Sequence, residues 1–171
     1  MKNRNHGLQH FFMESLQDIY YAEKHLVDAL GAFGARATNL SLRHALAMHG
    51  DVTQGHVFRL EEVFRLLDEP PVTKPCRAMR GIIKETNEMI DETGMDSATL
   101  DAGLIFAVQK AAHYQIATYG TLVAFAQTLQ MEDSLIKLLY ETLHEEKQAD
   151  AVLTGIAKDF VNELALLEEE A

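Results

Sequence analysis

Cysteine is nearly missing from this chain. Cys76 stands alone among 171 residues, which excludes an intramolecular disulfide and fits a reducing compartment. Proline is almost as scarce: all three prolines fall between Pro70 and Pro75, so the remaining chain is free to be helical. There is no long apolar run. The longest, AGLIFAV from Ala102 to Val108, is far too short to span a bilayer. The opening MKNRNHGLQHFFMESLQD is mildly basic, but Glu14 and Asp18 break its apolar stretch, so it does not read as a secretory leader. Positive charge is thin as well, with 15 Lys and Arg against 26 Asp and Glu and a net charge of −11. Phosphate binding needs a clustered basic face, and none is present. The expectation is a cytoplasmic protein with neither nucleic-acid nor membrane partners. Its acidity is read first as solubility.

Apolar residues at helical spacing are abundant. They make nearly half the chain, enough for a core of one domain spanning residues 1–171, with helices from about residue 8 to about residue 167. Four long segments carry the i, i+3, i+4 stripe, and none shows strand alternation. The first places Phe12, Leu16, Ile19, Leu26, Leu30 and Phe33 on one face. The second follows TNLS, where Asn39 or Ser41 can cap it, and carries Leu42, Ala45, Val52, Leu60, Val63 and Leu67. DEPPVTKP then stops it. A shorter helix, CRAMRGIIKETNEMIDETG, ends at a C-cap-like Gly94. Asp96 or Ser97 can cap the third long helix, striped by Leu104, Val108, Ala111, Thr118, Leu122, Phe125 and Leu129. The fourth starts near Glu132 and runs into the acidic tail LLEEEA. The expected fold is all-α, a four-helix bundle of two helical hairpins joined by a long crossover that carries a short extra helix.

Each long helix interrupts its oily stripe with polar residues: Glu23, then His49 and His56, then Gln115, then Glu146 and Asp150. In an antiparallel hairpin, residues equally far from the turn lie side by side. Glu23 is about 16 residues before the turn at Asn39 and His56 about 17 after it, roughly 24 Å along each axis. Gln115 is about 16 before the turn near Met131, with Glu146 about 15 and Asp150 about 19 beyond it. Glu23, His56, Gln115, Glu146 and Asp150 therefore fall within about one helical turn of a common level. His49, two turns or roughly 10 Å from His56, is expected outside that set.

Carboxylates gathered in a core repel one another and are costly to desolvate, whereas a divalent cation turns the repulsion into coordination. Acids with an imidazole suit iron or manganese, and zinc is also compatible. The competing reading is a buried polar network satisfied by Lys110, Lys147 or Tyr119. Ferritin-like bundles supply one Glu from each of two helices and Glu-x-x-His from each of the others. This chain departs from that pattern. Its spacing is Glu146-x-x-x-Asp150, it has Val52 where an acid would pair with His56, and it has the neutral Gln115 on the third helix.

Five blocks in order, YYAEKHL, TQGHVFRLEEVF, AMRGIIKE, HYQIATYGTL and LHEEKQAD, resemble the YciE/YciF family of bacterial ferritin-like stress proteins, from about Leu8 to Ile156. The resemblance implies a ferritin-like bundle, often a homodimer, tied to stress responses, with ferroxidase-type or peroxide-linked metal oxidation as the activity to expect. Carried over residue by residue, the family's polar centre matches Glu23, His56, Glu146 and Asp150 as metal ligands for Fe, or alternatively Mn or Zn. Val52 and Gln115 replace acids, so the centre is expected to be degenerate or mononuclear. A non-catalytic structural or interaction protein that has lost the two-metal site is the alternative, and it would bind no cofactor.

Overall fold

A computed structural model describes residues 7–93 and 97–169. Among the described residues six α-helices follow in order: α1 (Leu8–Arg36), α2 (Leu40–Leu66), α3 (Arg77–Thr93), α4 (Ala98–Thr128), α5 (Asp133–Ile156) and, after a π-helical turn at Ala157–Val161, α6 (Asn162–Glu169). No strand occurs among the described residues. The long helices α1, α2, α4 and α5 close into a bundle. α1 pairs with α2 and α4 with α5, α2 lies against α5 and α1 against α4, while α3 packs on the outside of α4. This is the expected all-α pair of hairpins with a crossover helix, and it places the middle of each long helix on one axis.

The stripes explain the packing. All six apolar positions read on α1, Phe12 through Phe33, are buried. On α2 the buried face is rotated slightly from the expectation: Leu46 and Thr53 are buried, whereas Ala45, Val52 and Leu67 are half-buried. On α4, Tyr119 takes the core position that the periodicity gave to Thr118. The buried apolar side chains form one cluster reaching from Phe12 to Val161.

The turns follow local chemistry. Asn39 caps α2 by accepting from the Leu42 N–H at 3.0 Å, and Ser97 caps α4 by accepting from the Leu100 N–H at 3.0 Å; Ser41 lies within α2. Gly94 and Asp96, the other cap candidates, fall outside the described residues. α2 ends before the prolines act. Asp68 adopts φ 56°, and the Glu69 N–H returns to the Phe64 carbonyl. α4 stops the same way, with Gln130 at φ 53° and the Met131 N–H on the Ala126 carbonyl. Both closures are Schellman-type caps with a non-glycine residue in the left-handed position.

The C-terminal acidic stretch does more than solvate. Glu168 accepts from the backbone N–H groups of Ala98 and Thr99 at 2.7 and 3.0 Å. A carboxylate there meets the positive end of the α4 dipole, which pins α6 across the start of α4. No helix among the described residues is long and apolar enough to cross a membrane.

Candidate metal centre

Three of the four expected ligands meet at mid-bundle. Glu23 from α1, His56 from α2 and Glu146 from α5 are fully buried, and one ligand atom from each lies within 4.8 Å of the others. The His56 Nδ1 is 3.3 Å from Glu146 Oε1 and 3.6 Å from Glu23 Oε2. The fourth, Asp150, is not among them. It is half-buried on the α4–α5 seam, where its Oδ1 accepts from Gln109 Nε2 at 3.0 Å and faces His113 Nε2 at 3.3 Å. Asp150 therefore faces the α4–α5 seam and not the group formed by Glu23, His56 and Glu146.

Gln115 instead bridges the acids. Its Nε2 donates to Glu23 Oε2 at 3.0 Å and to Glu146 Oε1 at 3.2 Å. Tyr119 donates to Glu23 Oε1 at 2.6 Å. His49, expected to be remote, reaches 3.4 Å from Glu146 Oε1 with its Nε2. The axial separation of the two histidines is real, but Glu146 lies across the bundle between them and receives both rings.

The orientation of His56 is fixed from outside. Its Nε2 lies 3.0 Å from Glu145 Oε2, and Glu145 is gripped by Arg59 at 2.7 and 3.1 Å. A carboxylate on Nε2 holds a proton there, so Nδ1 is the nitrogen that faces inward and offers its lone pair once its own proton is displaced. Neither Glu145 nor Arg59 was anticipated from sequence. The signals that could have found them are the spacing of Arg59 one turn after His56 and the doubled acid at Glu145-Glu146.

Part of the negative charge at this centre is offset in the metal-free protein by a proton on His56. Burial disfavours the His56 imidazolium, but hydrogen bonds and the negative charges of Glu146 and Glu23 outweigh it, so its pKa is pushed up to about 10. Burial likewise works against the Glu146 carboxylate, yet His49 and His56 hold its pKa below the ordinary value. Desolvation, then the Glu23 charge, pushes the Tyr119 hydroxyl well above its usual range, so it remains a donor.

The satisfaction of this network is incomplete. His56 Nδ1, Glu146 Oε2, Gln115 Oε1 and His49 Nδ1 are buried without a hydrogen-bond partner. Buried polar atoms are normally paired, and incomplete pairing on His56, Glu146 and Gln115, whose side chains meet at one centre, marks a place where a further group belongs. A divalent ion bonded at about 2.0–2.2 Å sets neighbouring ligand atoms about 2.8–3.6 Å apart, from right-angle to tetrahedral arrangements. The 3.3 and 3.6 Å separations around His56 Nδ1 match that spacing, so the two acids and the inward-facing imidazole fit a cation.

Comparison with known proteins places the chain in a family context. Residues 7–166 match the model of a domain of unknown function, DUF892. Protein YciF of Escherichia coli K12 is 38% identical over 159 residues, covering 92% of this chain and 95% of that protein. The crystal structure of the E. coli stress protein YciF superposes with a TM-score of 0.86, at 38% identity over 92% of this chain and 98% of that one. YcfI of Rhodopseudomonas palustris, described as a structural protein, gives a TM-score of 0.84 at 35% identity, over 90% of this chain and 97% of that one. A Xanthomonas campestris protein at 20% identity and TM-score 0.72 shares the fold.

Proposed function

The chain belongs to the family of YciF-like stress proteins, DUF892, and we propose that its bundle centre binds one divalent ion, iron or manganese, through Glu23, His56 and Glu146. The observation that carries this reading is His56. Its outer nitrogen faces Glu145, which Arg59 grips, while its inner nitrogen is fully buried and lies 3.3 and 3.6 Å from two carboxylates without a well-aligned hydrogen bond to either. Two acids and one imidazole suit Fe(II) and Mn(II) better than softer ions.

A bound iron would supply one-electron redox chemistry, and the carboxylates would favour its oxidised form, which is the ferroxidase-type activity the family suggests. The protein's own part is to hold and to exclude. Glu145 and Arg59 orient His56, Tyr119 fixes one oxygen of Glu23, and the surrounding buried stripe keeps bulk water away. Gln115 bridges both acids, so it sits where it can adjust their separation rather than add a charge.

The test is metal content and thermal stability together. Protein purified from Fe- or Mn-supplemented cells should carry close to one equivalent, and added ion should raise Tm. At about 100 times Kd the gain is about 2.7 kcal/mol. Glu146→Gln should lose both effects while keeping its helical spectrum. Equal metal content in wild type and Glu146→Gln would refute the site.

One observation favours a second reading, a structural protein without a metal. Gln115 Nε2 already bonds both Glu23 and Glu146, and a protonated His56 neutralises part of their charge. On that reading Tm is indifferent to Fe(II) and Mn(II), and Gln115→Ala is more disruptive than any ligand substitution.

A further inference from the structure

Glu23, His56 and Glu146 have no exposed surface, so an ion can reach them only past a side chain that moves. A groove of about 550 Å³ opens between α2 and α5, and two of the residues lining it also touch the centre. His49 Nε2 lies 3.4 Å from Glu146 Oε1, and Glu145 Oε2 lies 3.0 Å from His56 Nε2. Met48 and Val152, which line the same groove, are 51% and 53% exposed, so it is open to solvent. The cavity between α1 and α3, bordered by Tyr21, Arg80 and Asn87 among others, shares neither of these contacts.

Of the two residues, Glu145 is held and His49 is not. Arg59 grips Glu145 at 2.7 and 3.1 Å. The backbone of His49 is tied down, since Thr53 Oγ1 donates to its carbonyl at 2.7 Å. Its ring, however, has one long polar contact. The 3.4 Å separation lies beyond the roughly 2.7–3.2 Å of a good N–H···O bond, and Nδ1 has no partner. A ring held so lightly can swing without breaking a network. The same 3.4 Å falls within the spacing of about 2.8–3.6 Å that a shared divalent ion sets between two ligand atoms. His49 Nε2 and Glu146 can therefore hold one ion between them, a side chain short of Glu23 and His56.

We propose that His49 is the port of the metal centre: its ring, reached from the α2–α5 groove, takes up the incoming divalent cation and passes it to Glu146. The inference rests on the metal reading above and adds the residue that sets how fast the site fills and empties. Glu145 is the one acid lining the groove, and Arg59 already holds it, so no free carboxylate traps a cation before it reaches His49. A port lowers the barrier to passage in both directions while affinity stays with the three ligands. Its loss changes uptake and release by the same factor.

The test follows Mn(II) loading of the full chain after rapid mixing, read by loss of the aqueous ion's EPR signal, with release read by a chelator chase. His49→Phe keeps the bulk of the ring and removes its nitrogens. It should slow uptake and release alike by about tenfold, with stoichiometry and helical spectrum unchanged. Val152→Trp, on the exposed side of the groove, should narrow it and slow uptake as well. Asn87→Trp, on the α1–α3 cavity, should load at the wild-type rate. Wild-type rates in both His49→Phe and Val152→Trp, with Mn(II) still bound, would overturn the port and leave the metal centre standing. So would loss of the ion from His49→Phe, which would make His49 a ligand, or faster loading, which would make it a plug. A wild type that takes up no Mn(II) removes the metal reading instead, and the port with it.

Discussion

Two buried carboxylates in this bundle behave in opposite ways. Asp101, near the start of α4, is 1% exposed, and its oxygens accept from the Thr38 N–H at 2.8 Å, the Thr38 hydroxyl at 2.5 Å and the Asn39 N–H at 2.8 Å. It is a closed network that locks the α1–α2 turn against α4. Glu146, at mid-bundle, is equally buried, yet its Oε2 has no partner and its Oε1 is crowded by two histidines and an amide. A buried acid that needs nothing more is structural. One surrounded by other incomplete groups is built to receive something. The contrast separates the two explanations available for acids on an oily stripe, because both occur in the same molecule.

The contrast can be pressed hardest at Asp101. Asp101→Asn turns an acceptor into a donor facing other donors, and it should cost about 3 kcal/mol in a denaturant titration whether metal is present or not. In metal-free protein Glu146→Gln should cost less than that. The reverse ranking would mean that Glu146, not Asp101, is the structural lock.

Gln115→Glu sharpens the other side. A third acid at the centre adds repulsion that a cation relieves, so metal-free stability should fall by about 2 kcal/mol, and Fe(II) or Mn(II) should restore it. Loss of stability without rescue would place no ion among these residues.

Next in size is the pH dependence of binding. Proton and metal compete for His56 Nδ1, whose pKa is raised to about 10 from 6.5. In metal-free protein the proton's stabilisation is therefore fully present below 6.5 and is lost as pH rises through about 10. Metal binding must displace it, so apparent affinity measured calorimetrically should strengthen up to about tenfold per pH unit within that window. A flat profile would show that His56 Nδ1 is not a ligand. The smallest effect belongs to Asp150→Asn, on the seam outside the centre. It should change stability by less than about 0.5 kcal/mol and leave metal content as it was.

Much of this was legible in the chain itself. All six apolar residues of the α1 stripe, from Phe12 to Phe33, lie in the core, and counting from the turns brought Glu23, His56, Gln115 and Glu146 to one height. Height is a one-dimensional quantity, and the misreadings came from rotation. Asp150 shares the level but faces Gln109 and His113 on the α4–α5 seam, Thr118 yields to Tyr119 one position along, and Val52 is only half-buried. His49 shows the converse failure, since axial distance on one helix ignores a partner lying between two side chains on another. The clamp of Glu145 and Arg59 joins α5 to α2; the Arg59 spacing and the doubled acid point to its members, but nothing within either helix announces that they pair. The π-helical turn at Ala157–Val161 had no visible signal either.

The most direct test is an anomalous-difference map from crystals grown with Mn(II) or anaerobic Fe(II), collected on both sides of the metal's absorption edge. A single peak bonded to Glu23, His56 Nδ1 and Glu146, present only above the edge, is the predicted result. An empty map at full metal supplementation, with His56 still shared between the two acids, would contradict it.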